Sequence, residues 1–263
     1  MTTVGRKVNG ERAVVLGWGR ALLLQLAHPL VAAAVGDYSR FHHGAGGYLR
    51  RVRGTIGAML DLTFAPEAEA RAVVARINAI HDEVHGTLRE PVGMFAAGTP
   101  YSARDPRLLI WVHVTLIESI VLAYDQFVEP LAPDERDTYA REAAWLAIEL
   151  GVPASDLPRT FADVQAAVAR TLASGEIAVG PTARSLSGAL LSPLGPLASP
   201  LFNVTRLLTI GLLPDAARAA YGFDWDARRA ESYRRAVAFV AGLRRRLPAV
   251  LTEWRQARHP SPR

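Results

Sequence analysis

The 263-residue sequence contains no cysteine and a single lysine, Lys7. Without cysteine there can be no disulfide scaffold, thiolate zinc site, iron–sulfur cluster or cysteine nucleophile, so any metal must be held by histidine or carboxylate. A reducing compartment fits this lack but is not required by it. Charged residues make up 21% of the chain and apolar ones 50%. That is too little charge for a disordered chain, and the length suffices to bury a generous core.

Long apolar runs are missing too. A membrane span needs roughly 20 apolar residues, whereas Gln25, His28 and Pro29 interrupt the run from Ala21 to Val35. The second oily stretch, Leu186 to Leu213, is broken by Pro193, Pro196, Pro200 and Arg206. Arg6, Lys7, Arg12 and Arg20 ahead of the first run imitate a signal peptide, but its interruptions suit a core helix better. A soluble, cytoplasmic protein able to touch membranes is expected.

Thirty basic residues against twenty-five acidic ones leave a net charge of +5. The excess is local, because ten arginines lie between Arg228 and Arg263 with only Glu231 and Glu253 against them. A solvated face or an anionic membrane surface accounts for this. Nucleic acid does not, since no aromatic platform or nucleic-acid module accompanies the arginines. P-loop, GxSxG, GxGxxG-plus-acid and kinase signatures are all missing, which disfavours nucleotide chemistry and serine hydrolysis.

Apolar residues recur at the helical period along most of the chain, and strand-like alternation is scarce. Helices are expected over 11–36, 48–60 after the glycine turn Gly44–Gly47, and from Pro66 to about His85. Asp105-Pro106 opens a broadly apolar helix to about Val128, which should be central. Further helices run from Pro133 to Leu150 with Gly151 as C-cap, from beyond Pro158 to about Ser174, and over 227–246. With no repeat and no dividing linker, the expectation is one all-α domain over 1–263 with short proline- and glycine-rich connections.

Of seven histidines, His42, His43 and His259 fall in loop or tail segments. His28, His81, His85 and His113 fall in apolar helical stretches, where an imidazole must find a partner or lose its charge. His81 and His85 are four apart, a spacing that lets both reach one metal from a helix face; a single ligand beside an exposed neighbour is the other reading. His113 has almost no polar company and is either a hydrogen-bonded core residue or a pocket residue. At His28-Pro29, proline frees the carbonyl of Gln25 for a neighbour or ligand, unless the site is only a kink. Arg50, Arg51 and Arg53 are a surface helix start or, around a pocket, a clamp for a carboxylate. The segment 186–214 is either a hydrophobic entry or a buried connection.

An ordered set of motifs carries a resemblance. They are Gln25-Leu-Ala-His28-Pro29 with Val35 and Tyr38-Ser39, Arg51-x-x-x-Thr55, Ile77-Asn78-Ala79-Ile80-His81-x-x-Val84-x-Gly86, Tyr101-Ser-Ala-x-Asp105-Pro106, Trp111-Val112-His113-x-Thr115-Leu116, and Tyr124-x-x-Phe127. Together, over roughly residues 11–150, they resemble the catalytic domain family of the oxygenase MpaB and the rubber oxygenases (latex-clearing proteins). The resemblance implies an all-helical, globin-reminiscent fold holding haem b, with dioxygen used at iron to cleave or oxidise an isoprenoid double bond. It implies His81 as the iron ligand, Arg51 and Thr55 lining the haem pocket, His113 close by, and His28 in a motif near the cofactor. Where rubber-cleaving members carry a lysine just before the threonine, this chain has Gly54, and the acid nearest their upstream base is Asp37. These departures count against rubber cleavage and leave haem binding intact. Beside the oxygenase stand two other readings: a non-catalytic haem or hydrophobic-ligand binder, and a non-haem metal enzyme built from His81, His85 and an acid such as Glu118.

Overall fold

The computed structural model describes residues 3–38, 44–192 and 200–258, and for 3, 44–52 and 200–202 it describes the backbone only. About 74% is helical, with fourteen α-helices and one two-stranded sheet among the described residues. The fold is all-α, as the periodicity predicts.

The central helix is α6 (Pro106–Phe127), with α1 (Thr3–Gly10), α2 (Val15–Leu26), α7 (Pro133–Glu149), α8 (Phe161–Ala173) and α12 (Ala227–Arg246) packed around it. Asp105 starts it by accepting a 2.9 Å bond from the Arg107 amide, while Pro106 needs no donor in the first turn. Trp111, Val114, Ile117, Ile120, Val121 and Phe127 are each 3% exposed or less, so the helix is apolar on nearly every side because it is covered on nearly every side. Among the described residues α6 alone is long and apolar enough to cross a membrane, and 67% of its apolar window is buried within the protein. Burial of that extent is how a core helix behaves.

The expected helix over 11–36 is instead a 3-10 turn (Arg12–Val14), α2 and α3 (Pro29–Tyr38), with a 106° bend at the break. Proline at position 29 ends α2, and the freed Gln25 carbonyl accepts the His28 amide at 3.2 Å. The expected glycine turn at 44–47 is the first turn of α4 (Gly44–Phe64). Helix α5 (Glu67–Glu83) opens after Pro66 with Glu67 and Glu69 in its first turn, and it ends before His85. Val84 turns extended, its carbonyl accepts the Ala103 amide at 2.9 Å, and β1 (His85–Thr87) pairs antiparallel with β2 (Pro100–Ser102).

Helices α7, α8 and α12 fall where the sequence places them, and Gly151 follows α7 at φ +104. The helix α11 (Asp215–Tyr221), closed by Gly222 at φ +71, was not expected, nor were α1 and the hairpin. The remaining helices are α9 (Pro181–Leu191), α10 (Pro200–Gly211), α13 (Ala249–Thr252) and α14 (Arg255–Arg258).

Two close approaches fix α2. A Cβ on Gly17 would lie 2.3 Å from the Ser119 carbonyl of α6, and one on Gly19 would lie 2.9 Å from the Thr209 side chain of α10. Buried Arg20 then donates to the Leu212 carbonyl at 2.8 Å, Ser119 Oγ at 2.7 Å and Glu118 Oε2 at 2.7 Å, tying α2 to α6 and the end of α10.

Candidate functional site

The bend at His28-Pro29 turns α2 and α3 into two walls of an open cavity of about 290 Å3. Trp18, Leu22 and Leu26 of α2 and Val31 and Val35 of α3 face Leu186 and Leu190 of α9 across it. The polar groups in the wall are Gln25, Thr55, Thr205 and Thr209, and Arg206 of α10 is the single charged side chain among the described lining residues. Gln25 is held by donating to the Val112 carbonyl at 3.2 Å. The described parts of the 186–214 segment thus supply one side of a mostly apolar space.

Thr55 lies in that wall, at the solvent-facing side of α4. Arg51 belongs to α4, but its side chain, like that of Arg50, lies outside the described residues, as do His42, His43 and His259. Arg53 is exposed.

His81 sits in the last turn of α5, half-buried, with Nδ1 enclosed and without a hydrogen-bond partner among the described residues. Burial, and after it the positive charge of Arg104, lowers its pKa below the ordinary value; Asp82 opposes this more weakly. The ring is therefore neutral at pH 7, and its enclosed nitrogen lacks a partner that a buried polar atom ordinarily has. This is the state an iron-ligating imidazole needs.

His113 of α6 makes no hydrogen bond to any described residue, and burial alone pushes its pKa down to about 4. His28 lies in the bend at 4% exposure, its Nδ1 accepting the Leu30 amide at 3.3 Å and its ring 5.3 Å from that of Phe95. Burial lowers its pKa as well. No hydrogen bond, ion pair or ring contact joins His28, Thr55, His81 and His113 to one another, and of the four only Thr55 lines the apolar cavity.

A residue to which the sequence motifs give no role holds the His81 turn. Arg104, the unassigned position in Tyr101-Ser-Ala-x-Asp105, donates to Asp82 Oδ1 at 2.7 Å, to Asn78 Oδ1 at 2.6 Å and to the Asn78 carbonyl at 3.2 Å. Asn78 in turn donates to the Glu149 carbonyl at 3.0 Å. Asp37 accepts from Tyr101 Oη and from Arg89 Nη2, both at 2.6 Å, and Tyr38 donates to the His85 carbonyl at 2.8 Å. Tyr38, Asn78 and Tyr101 of the motifs, with Asp37 and Arg104, thus tie α3, α5 and the hairpin together. The signal that finds Arg104 is its place between two turns that must meet, which no periodicity displays.

The arrangement does not carry the His81, His85 and Glu118 metal site. His85 leaves the helix for β1, which ends the shared-face geometry, and Glu118 is paired with Arg20 at 2.7 Å. Among the described residues no three histidine or carboxylate side chains converge on one point.

What the fold and the cavity define is an all-helical protein with an open, mostly apolar cavity between α2, α3 and α9. The chain belongs to the family described as ER-bound oxygenase mpaB/B′ and rubber oxygenase, catalytic domain, whose model matches residues 6–242. No curated protein and no solved structure matches the chain.

Proposed function

We propose that the protein is a haem b-dependent oxygenase that uses dioxygen to oxidise or cleave an apolar, isoprenoid-type molecule. Family membership supports oxygenase chemistry, and the one observation that supports haem is the enclosed Nδ1 of neutral His81, which has no partner among the described residues. Haem, when bound, supplies a redox iron at which dioxygen is activated.

His81 would hold the iron. Arg104 keeps its turn in place through Asn78 and Asp82 and, by its charge, disfavours the imidazolium that could not act as a ligand. Arg51 and Thr55 would line the haem, and His113 and His28 offer neutral imidazoles that bring no charge into an oily surrounding. The cavity beside Thr55 would take the apolar part of the substrate and exclude water from it.

Contact with an anionic membrane surface belongs to the same proposal. Phe239 and Leu243 of α12, 68% and 45% exposed, share a helix face with Arg235 and Arg246, and exposed Val250 and Leu251 follow on α13.

Protein produced with a haem supply is expected to show a Soret band that His81→Ala loses. Colourless protein whose spectrum does not respond to haem titration overturns the proposal. Haem binding without dioxygen uptake in the presence of isoprenoids would replace it with the reading of a non-catalytic haem or hydrophobic-ligand binder.

A further inference from the structure

We infer that the apolar cavity beside Thr55 binds a long-chain molecule with an anionic head, its chain against α2, α3 and α9 and its carboxylate or phosphate at Arg206. This names a substrate class, and it rests on the oxygenase reading for the chemistry that the bound molecule undergoes.

Three observations carry it. The walls offer Trp18, Leu22, Leu26, Val35, Leu186 and Leu190 to a chain, with no acidic side chain among the lining residues. Arg206 is the only charge among the described lining residues, and it is exposed, so an anion can reach it without either charge being stripped of all its water. Every aspartate and glutamate of the sequence lies among the described residues, and none forms an ion pair with Arg206.

Chemistry decides between the possible heads. A hydroxyl or an ester would find the same apolar walls but gain little from a guanidinium. A carboxylate or phosphate matches its planar fork of donors and forms the stronger, charge-assisted bonds. A cationic head would meet repulsion from Arg206 and no acid to offset it. The apolar length then comes from the lining, since Leu22 and Leu26 of α2, Val35 of α3 and Leu190 of α9 all border the cavity that Arg206 borders.

The test is titration calorimetry on the full chain, haem-loaded and haem-free, with dodecanoate, dodecyl phosphate and dodecanol. Both anions are expected to bind about tenfold tighter than the alcohol, the effect of one charge-assisted contact. Arg206→Gln, at an exposed position, should erase that difference and leave dodecanol binding unchanged. Leu22→Trp, which fills the cavity from its partly exposed wall, should abolish binding of all three. A preference for phosphate over carboxylate, or the reverse, identifies which anion the arginine recognises. Equal binding of the alcohol and the anions, or anion binding that Arg206→Gln does not weaken, overturns the inference, as does the lack of binding by any probe. Because haem-free protein is titrated in parallel, failure of the haem reading shows in the absorption spectrum alone and leaves these outcomes readable.

Discussion

Buried Arg20 of α2 and Glu118 of α6 form an ion pair at 2.7 Å, with side-chain exposures of 5% and 15%. The guanidinium also serves Ser119 and the Leu212 carbonyl, so each of its three nitrogens finds an acceptor in the packing between helices. Removing one member leaves the other charged and dry. Arg20→Ala is expected to lower unfolding free energy by about 3–5 kcal/mol and Glu118→Gln by about 1–2 kcal/mol, read from urea denaturation midpoints. Equal stability of the three proteins would show that the pair does not join α2 to α6.

Acid should weaken the fold through His113. Its pKa falls from the ordinary 6.5 to about 4 in the folded chain. The unfolded chain therefore takes up a proton near pH 6.5 while the folded chain does not until about pH 4. Stability is complete above 6.5, declines as pH falls through this window, and loses about 3 kcal/mol by its lower end. His28 and His81 shift in the same direction and add to the trend. In haem-free protein, thermal unfolding followed from pH 7 to pH 4 should show a shallower decline for His113→Phe than for the parent chain.

Arg104 acts on the site through the turn it holds. Arg104→Met removes its bonds to Asp82 and Asn78 and should cost about 1–2 kcal/mol, chiefly through the Asn78 bonds, since the solvated Asp82 pair adds little. The readout specific to the site is haem retention. Dialysis against apomyoglobin should strip haem from Arg104→Met faster than from the parent, and Arg104→Lys, which keeps the charge but not the fork, should fall between them.

The α12 face predicts a membrane effect that salt can tune. Phe239→Asp combined with Leu243→Asp should reduce co-sedimentation with vesicles containing phosphatidylserine by about tenfold or more. High salt should weaken the parent's binding, and neutral phosphatidylcholine vesicles should retain little of it. Binding that is indifferent to both substitutions would remove this face as the contact.

Periodicity and punctuation disclosed the helical class, the central role of α6 and the limits of α7 and α12, because those features depend on local apolar spacing, prolines and caps. The break at His28-Pro29 was visible as a proline, but its 106° bend depends on what α3 packs against, which lies far along the chain. The end of α5 before His85 was hidden for the same reason, since the Val84 carbonyl is claimed by Ala103 through a hairpin closed by remote residues. At the site, the oily helices made the histidines conspicuous and the ordered motifs led to the family. The parts that Arg104 and Arg206 play stayed unseen, because an arginine acquires its meaning from the groups it faces in three dimensions.

The family match ends at residue 242, two residues before Arg244. Yet Arg244 is the cation paired with Glu11, whose side chain is nearly sealed from water, and the Trp254 amide donates to the Gly10 carbonyl at 2.9 Å while its ring lies under the Arg12 guanidinium. A truncation drawn at the family boundary would strip the start of the chain of its counter-ion and its cover together. Evolutionary kinship and mechanical integrity thus have different borders in this molecule, and deletion variants should respect the second.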